Sequence, residues 1–370
     1  MTEHISYDEL SRAYFDCRRH KRTKPSALKY ELDYEMRLYK LWEELNDGTY
    51  EVGRSSCFCV SRPKVREVFA ASFRDRIVHH LLMNRMLSIF ENNFIDDTYN
   101  CRVGKGVFYG VRRLDEHIKS IGKDCWFLKI DLSGFFMSID KDTLWESTEK
   151  LIRERWEYED IEWWLNLLKK VVYNRPELKC ERRGDLSLWD VLPESKSLFH
   201  TNGKGLPIGN LTSQILANHY LTGFDKWLSP QVSGYSRYVD DIVLLDKDKN
   251  KLLTLLNPIR EELSKLSLKL NPKKIVLQRA DKGILFTGYV VKPWGLYAGD
   301  RLRRNAIKLS KRVESIDVHL NRFNSYSGFL LPTLAYAIRR EMWQNTARNY
   351  TGIYATKHCN AIKKLKTHSK

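Results

Sequence analysis

The chain is 370 residues long and carries 63 Lys and Arg against 46 Asp and Glu, a formal charge of +17. At ~100–200 residues per domain this is two or three domains with room for a sizeable core. A hydrophobic fraction of 42% with 12% aromatic residues excludes a disordered tail. No apolar run approaches the ~18 residues that span a bilayer, so no membrane partner is expected. Met1 to Leu10 holds two Glu and an Asp and no apolar stretch, which excludes a signal peptide.

Seven cysteines, Cys17, Cys57, Cys59, Cys101, Cys125, Cys180 and Cys359, are too scattered for a disulfide scaffold and suit a reducing cytoplasm. Only Cys57 and Cys59 are close, and no second pair gives them zinc-ligand spacing. The positive charge points to a polyanion, with nucleic acid ahead of a membrane surface. It is clustered at Arg18, Arg19, Lys21, Arg22, Lys24 and Lys29, again from Arg301 to Arg312, and again at Lys357, Lys363, Lys364, Lys366 and Lys370. One such run is ordinarily a solvated helix face. Three of them interleaved with Trp, Tyr and Arg favour phosphate binding and base stacking.

In chain order, Leu28, Leu32, Leu38, Leu41 and Leu45 recur near helical spacing and predict one helix over Ala27 to Leu45, stopped by Asn46-Asp47-Gly48. Tyr50 to Phe73 alternates around Pro63 and reads as short strands and a loop. Ile77 to Phe90 is helical; Gly104, Gly106 and Gly110 mark a turn before a helix over Val111 to Ile118. Cys125 to Ile130 is an apolar strand that runs into Asp131. Thr143 to Val172 is a long helical region, and Asn174 to Lys204 is a polar inserted loop or small hairpin. Gln214 to Leu228 is helical, Tyr235 to Leu245 is a strand pair broken by Asp240-Asp241, and Leu252 to Leu268 is helical. Ile275 to Leu277 and Leu285 to Val291 are strands, and from Asp300 the pattern is helical and basic to the end. This order predicts an α+β core, an antiparallel sheet backed by helices.

Ionised carboxylates in or beside apolar strands are costly unless paired or metal-bound. Asp131 ends the run Trp126-Phe127-Leu128-Lys129-Ile130, and Asp240-Asp241 sits between Tyr238-Val239 and Ile242-Val243-Leu244-Leu245. A divalent cation offsets both the burial and the mutual repulsion, and Mg²⁺ takes oxygen ligands. Two such ions about 3.5–4 Å apart serve phosphoryl transfer. Either motif alone is equally an acidic turn; two strand–Asp motifs on a basic protein favour the metal. Between them lies Gly205-Leu206-Pro207-Ile208-Gly209-Asn210-Leu211-Thr212-Ser213-Gln214, a turn followed by a helix that Thr212 or Ser213 is placed to cap.

Tyr238-Val239-Asp240-Asp241 resembles the catalytic box of reverse transcriptases, and Leu128 to Phe136 resembles their first metal-binding motif. The span from about Arg62 to Trp294 follows the family's motif order. The resemblance implies a right-hand polymerase fold: N-terminal extension and fingers over 1–115, an antiparallel-sheet palm over 116–295 with an inserted loop at about 174–204, and a short helical basic thumb and tail over 296–370. It implies two Mg²⁺ ions on Asp131, Asp240, Asp241 and the Leu132 carbonyl, with Lys274 as the acid that protonates pyrophosphate. It places Phe136 as the steric gate that favours deoxynucleotides and Arg66, Arg74 and Arg76 in the stretch that grips the triphosphate, a task for which the planar guanidinium suits.

Most of the family has Gln where this chain has Ile208, before Gly209, and ends the motif in Ser-Pro where this chain has Ser213-Gln214. The pattern is similar to the reverse transcriptases of diversity-generating retroelements, which make adenine-mutagenic cDNA from a template RNA to diversify a target gene. That likeness implies as partners a template RNA, a DNA or RNA primer, dNTPs and a small basic ring-forming accessory protein, in a bacterial or phage setting. About seventy residues follow the palm strands, room for a thumb rather than for a maturase. The alternatives are a group II intron-like or retron-type enzyme, and a non-catalytic RNA-binding defence protein with the same fold.

Overall fold

A computed structural model describes residues 4–62 and 64–365; Met1 to Glu3, Pro63 and residues 366–370, with Lys366 and Lys370 of the basic tail, lie outside the described residues. The chain opens with α1 (Tyr7–Arg18), which the hydrophobic pattern had not announced. Ser6 and Glu9 form a reciprocal capping box at its start, and Leu10, Ala13, Tyr14 and Cys17 bury one face at helical spacing. The single helix expected over Ala27 to Leu45 is two, α2 (Pro25–Glu31) and α3 (Tyr34–Asn46). The break at Leu32-Asp33 turns Leu28 and Leu32 outward, 51% and 81% exposed, while Leu38, Leu41 and Leu45 stay buried.

Next come β1 (Ser56–Val60), β2 (Arg66–Ala70), α4 (Phe73–Glu91) and α5 (Val107–Ile121). Gly110 lies inside α5 rather than before it, and it is glycine there for space: a Cβ would sit 2.4 Å from the Tyr99 ring. After β3 (Trp126–Asp131) and the single turn α6 (Phe135–Ser138), the region from Thr143 to Val172 is also two helices, α7 (Lys141–Arg155) and α8 (Ile161–Val172). The inserted segment contains 3₁₀ turns and β4 (Glu181–Arg183). It is no hairpin: β4 pairs parallel with β1, and β2 and β4 flank β1.

α9 (Leu211–Tyr220) and α10 (Thr222–Leu228) lead to the hairpin β5 (Gly234–Tyr238) and β6 (Asp241–Asp246), then α11 (Lys249–Thr254) and α12 (Leu256–Lys265). β7 (Val276–Arg279) completes an antiparallel sheet of order β5-β6-β3-β7. β8 (Ile284–Phe286), β9 (Tyr289–Lys292) and β10 (Gly295–Ala298) form an antiparallel meander. α13 (Asp300–Ser310), α14 (Ile316–Leu330) and α15 (Tyr336–Ala347) enclose a small core around Phe323 and Met342. The expected helix to the end is replaced by a hairpin, β11 (Ile353–Ala355) with β12 (Ile362–Lys364), because Ile362 reaches back into that core.

The central sheet lies between two apolar clusters, as the period-2 alternation requires. Leu128, Ile130, Ile242 and Leu244 face the larger core with α4, α7, α8 and α9. Phe127, Val243 and Leu245 face Val111, Leu114 and Ile118 of α5 on the other side. With both faces covered, Asp131 at the end of β3 and Asp241 at the start of β6 come together at one end of the sheet. A boundary at 115/116 would fall inside α5 and one at 295/296 inside β10.

Candidate active site

The antiparallel register between β3 and β6 sets Ile130 opposite Ile242 and, one step on, Asp131 opposite Asp241. Asp240 lies in the two-residue turn between β5 and β6, where Tyr238 pairs with Asp241. The other turn residue, Val239, has φ +59°. A positive φ confined to the first loop residue is the type II′ pattern that suits the twist of a tight hairpin, at a cost for a β-branched side chain.

Two ammonium groups reach the carboxylates. Lys274 Nζ donates to Asp131 Oδ2 at 2.5 Å, and Lys129 Nζ donates to Asp241 Oδ2 at 3.0 Å and to the Leu285 carbonyl. Lys129 was not among the residues expected in the site. The signal was present, because Lys129 and Asp131 are two apart on one strand and therefore share a face. Burial, then the Asp131 charge, pushes the Asp240 carboxyl up to about 6. Burial also raises Asp241, and the nearby Lys129 ammonium opposes that shift. The Leu132–Leu270 bridge uses Ser133 N to Lys269 O and Asn271 N to Asp131 O, so the Leu132 carbonyl accepts no hydrogen bond among the described residues.

These are hard oxygen donors, the ligand type that suits Mg²⁺. Among the described residues, no three His, Cys, Asp or Glu side chains form a metal-holding group. Lys129 and Lys274 pair with Asp241 and Asp131.

A second group forms where β2 meets the Gly205–Gly209 loop. Phe69 N donates to Ile208 O at 2.8 Å. Gly209 has φ +122°, and a Cβ there would stand 2.9 Å from Val68 Cγ1 and 3.0 Å from Phe69 O. Glycine is therefore required both by conformation and by space. Ile208 and Phe136 are half-buried against the same small cluster of Cys57, Phe69, Met137 and Leu198, while Phe135 is fully in the main core. α6 follows Asp131 almost directly, through Gly134 in the left-handed region, so Phe136 and the carboxylates are joined by one short segment.

The three arginines are placed differently. Arg74 pairs with Glu44, donates to Glu51 O at 3.0 Å and lies over the Tyr50 ring. Arg76 donates to Ala71 O at 2.8 Å. Arg66, exposed on β2, has no side-chain partner among the described residues. Neither Thr212 nor Ser213 caps α9: Asn210 is the N-cap, its Oδ1 accepts from Ala71 N, and Thr212 is buried inside the helix against His79 Nδ1 at 2.7 Å. Gln214 Oε1 accepts from Asn100 Nδ2 at 3.4 Å.

The family model for reverse transcriptase (RNA-dependent DNA polymerase) matches residues 61–291, a span that holds Asp131, Asp240, Asp241, Lys129, Lys274, Phe136, Ile208, Gly209, Gln214 and the three arginines. The chain belongs to the reverse transcriptase family and is an enzyme of that class. It is 23% identical over 306 residues to protein YkfC of Escherichia coli (strain K12), covering 71% of this chain and 73% of that protein. It is 24% identical over 197 residues to the group II intron-encoded protein LtrA of Lactococcus lactis subsp. cremoris, covering 52% of this chain but 28% of LtrA. Likeness to the putative COX1/OXI3 intron 1 protein of Saccharomyces cerevisiae, 24% identical, covers 55% of this chain and 21% of that protein. In fold it is similar to apo telomerase from Candida Tropicalis, with a TM-score of 0.50 at 11% identity over 80% of this chain and 57% of that one. No helix among the described residues is long and apolar enough to cross a membrane.

Proposed function

We propose that the chain copies a template RNA into DNA by extending a DNA or RNA primer with dNTPs at Asp131, Asp240 and Asp241. The observation that carries this reading is the register that sets Asp131 opposite Asp241 with Asp240 at the adjoining turn. In this reading the three carboxylates and the Leu132 carbonyl would hold two Mg²⁺ ions, which would supply Lewis-acid stabilisation of the phosphoryl oxygens. Arg66 binds the triphosphate, and Phe136 fills the space that a ribose 2′-hydroxyl needs. Lys274 leaves Asp131 to protonate the departing pyrophosphate.

The finer part of the proposal is that synthesis is error-prone at template adenines and serves to diversify a target gene, with a small basic ring-forming accessory protein and a bacterial or phage cytoplasmic setting. It is supported by Ile208, which packs in the same cluster as Phe136 and offers shape but no hydrogen-bond donor at that position. Sites built on hydrogen bonds reject wrong partners best, so an aliphatic residue there weakens discrimination. The likeness to LtrA favours a second reading, a group II intron-type enzyme of ordinary fidelity.

Primer extension on an RNA template in Mg²⁺, with the cDNA sequenced, tests both. The expected result is extension that Asp240→Asn abolishes, with errors concentrated at template adenines. Faithful products turn the choice to the intron-type reading. Extension that survives Asp240→Asn refutes the assigned site.

A further inference from the structure

The turn that carries Asp240 rests on a buried charge. Arg237, 1% exposed on β5, grips Asp225 of α10 with Nε on Oδ1 at 2.7 Å and Nη2 on Oδ2 at 2.5 Å. Asn218 of α9 accepts twice more, at Oδ1 from Nη1 and at its carbonyl from Nη2, both at 3.3 Å. The Tyr235 hydroxyl donates to Asp225 Oδ1 at 2.6 Å, so the carboxylate is fully engaged. Nη1, besides its bond to Asn218, donates to the Val239 carbonyl at 3.1 Å.

A buried ion pair is weak evidence for stability, because an apolar pair of similar volume often serves the fold as well. The direction of this one is informative. Its last donor ends on the residue with φ +59°, a conformation that persists only where the surroundings hold it. The Val239 carbonyl and the Asp240 nitrogen belong to one planar peptide, so fixing the oxygen fixes the direction in which Asp240 leaves the turn. The other end of the arm is anchored on α9, the helix that opens at the Ile208–Gly209–Asn210 loop. One guanidinium thus ties the carboxylate turn to the helix behind the nucleotide-side loop.

We infer that Arg237, held by Asp225 and Asn218, is a positioning residue that fixes the Val239–Asp240 peptide and so sets the Asp240 carboxylate against Asp131 and Asp241. The inference rests on the polymerase reading above. It accounts for a buried charged residue one position from the turn end of β5, and for a β-branched residue at a positive φ.

The test removes both charges together. In the triple variant Tyr235→Phe, Asp225→Leu, Arg237→Met no buried charge is left without a partner, so a merely structural pair predicts native activity once the protein folds. A positioning role predicts a melting temperature near the native one, a fall in kcat of at least tenfold with the KM for dNTP within twofold, and Mn²⁺ affinity, read by electron paramagnetic resonance without substrate, weakened at least fivefold. Native kcat and native Mn²⁺ affinity in the folded triple variant overturn the inference. If the triple variant does not fold, Arg237→Lys is compared with Arg237→Lys, Val239→Gly. Glycine adopts the turn's φ unaided, so it is expected to restore at least threefold of the lost kcat; no recovery overturns the inference. The native protein and Asp240→Asn are run alongside. A native protein that neither binds Mn²⁺ nor extends a primer overturns the polymerase reading and this inference together, whereas an active native protein matched by the triple variant overturns the inference alone.

Discussion

Replacing Gly209 by alanine perturbs the contact between β2 and the Ile208 loop in two separable ways. At φ +122° an L-residue is strained, by about 1–3 kcal/mol. The new methyl would also meet Val68 Cγ1 at 2.9 Å and, less forgivingly, the Phe69 carbonyl at 3.0 Å, and overpacking of this kind adds about 1–3 kcal/mol. Restricting the unfolded chain returns about 0.4–1 kcal/mol. The net expectation is a local destabilisation of about 2–4 kcal/mol, relieved by withdrawal of β2 and loss of the bond from Phe69 N to Ile208 O. Hydrogen exchange at the Phe69 amide reads this directly and does not require the whole chain to unfold in one step. At 1.4 kcal/mol per factor of ten, protection should fall by about 30-fold or more. The KM for dNTP should rise, because β2 carries Arg66. Gly184→Ala is the control: its φ is +79°, but nothing lies within 4 Å of the added carbon, so only the conformational cost remains. If Gly209→Ala leaves Phe69 protection and KM no worse than Gly184→Ala does, the close approach of strand and loop is not what positions β2.

Burial pushes the His79 imidazole down to about 4, and His219 likewise to about 4. Unfolded histidine takes its proton near 6.5 while these folded ones refuse it, so stability is lost as pH falls from 6.5 toward 4. Each should contribute about 2 kcal/mol of loss by pH 5, and urea midpoints at pH 7 and 5 should converge in His79→Gln by about that share. Phe136→Ala should raise ribonucleotide incorporation about tenfold or more relative to dNTP, about 1.4 kcal/mol of lost exclusion; unchanged sugar selectivity in competition assays would remove Phe136 from the gate. Ile208→Gln should lower misincorporation opposite template adenine by up to about tenfold, the worth of one hydrogen bond, and an unchanged error spectrum in sequenced cDNA would sink that role.

The carboxylate site was legible because it obeys short-range rules. An apolar strand that ends in Asp, and a second broken by two Asp, announce β3 and the β5–β6 hairpin through period-2 alternation alone. What the spacing does not contain is register, and it is register that puts Asp131 opposite Asp241. Lys129 was within reach of the same alternation, and α1 was within reach of the Ser6–Glu9 capping box. The helix breaks at Leu32-Asp33 and around Trp156 were hidden by apolar residues that kept helical spacing across them. β4 and the β11–β12 hairpin could not be read at all, since three-residue strands are too short to show a period and exist only through the partners they find. The caps expected from Thr212 and Ser213 failed for a related reason: His79, far away in the chain, claims Thr212.

The buried Glu67 of β2 gives the inserted segment a part in the order of folding. Its carboxylate accepts from the Trp189 indole at 2.7 Å, the Ser197 hydroxyl at 3.0 Å and the Leu198 amide at 2.7 Å, all supplied by a stretch synthesised well over a hundred residues later. β1 likewise waits for β4 to cover its second edge. On the ribosome the β1–β2 hairpin therefore emerges with an open strand edge and a carboxylate without donors. Such long-range closure is slow, and it leaves the hairpin open to wrong pairing meanwhile. A nascent chain halted before residue 181 should remain sensitive to protease between β1 and β2, and one halted beyond 210 should not. The insertion is thus a latch whose timing decides when this half of the molecule becomes a structure.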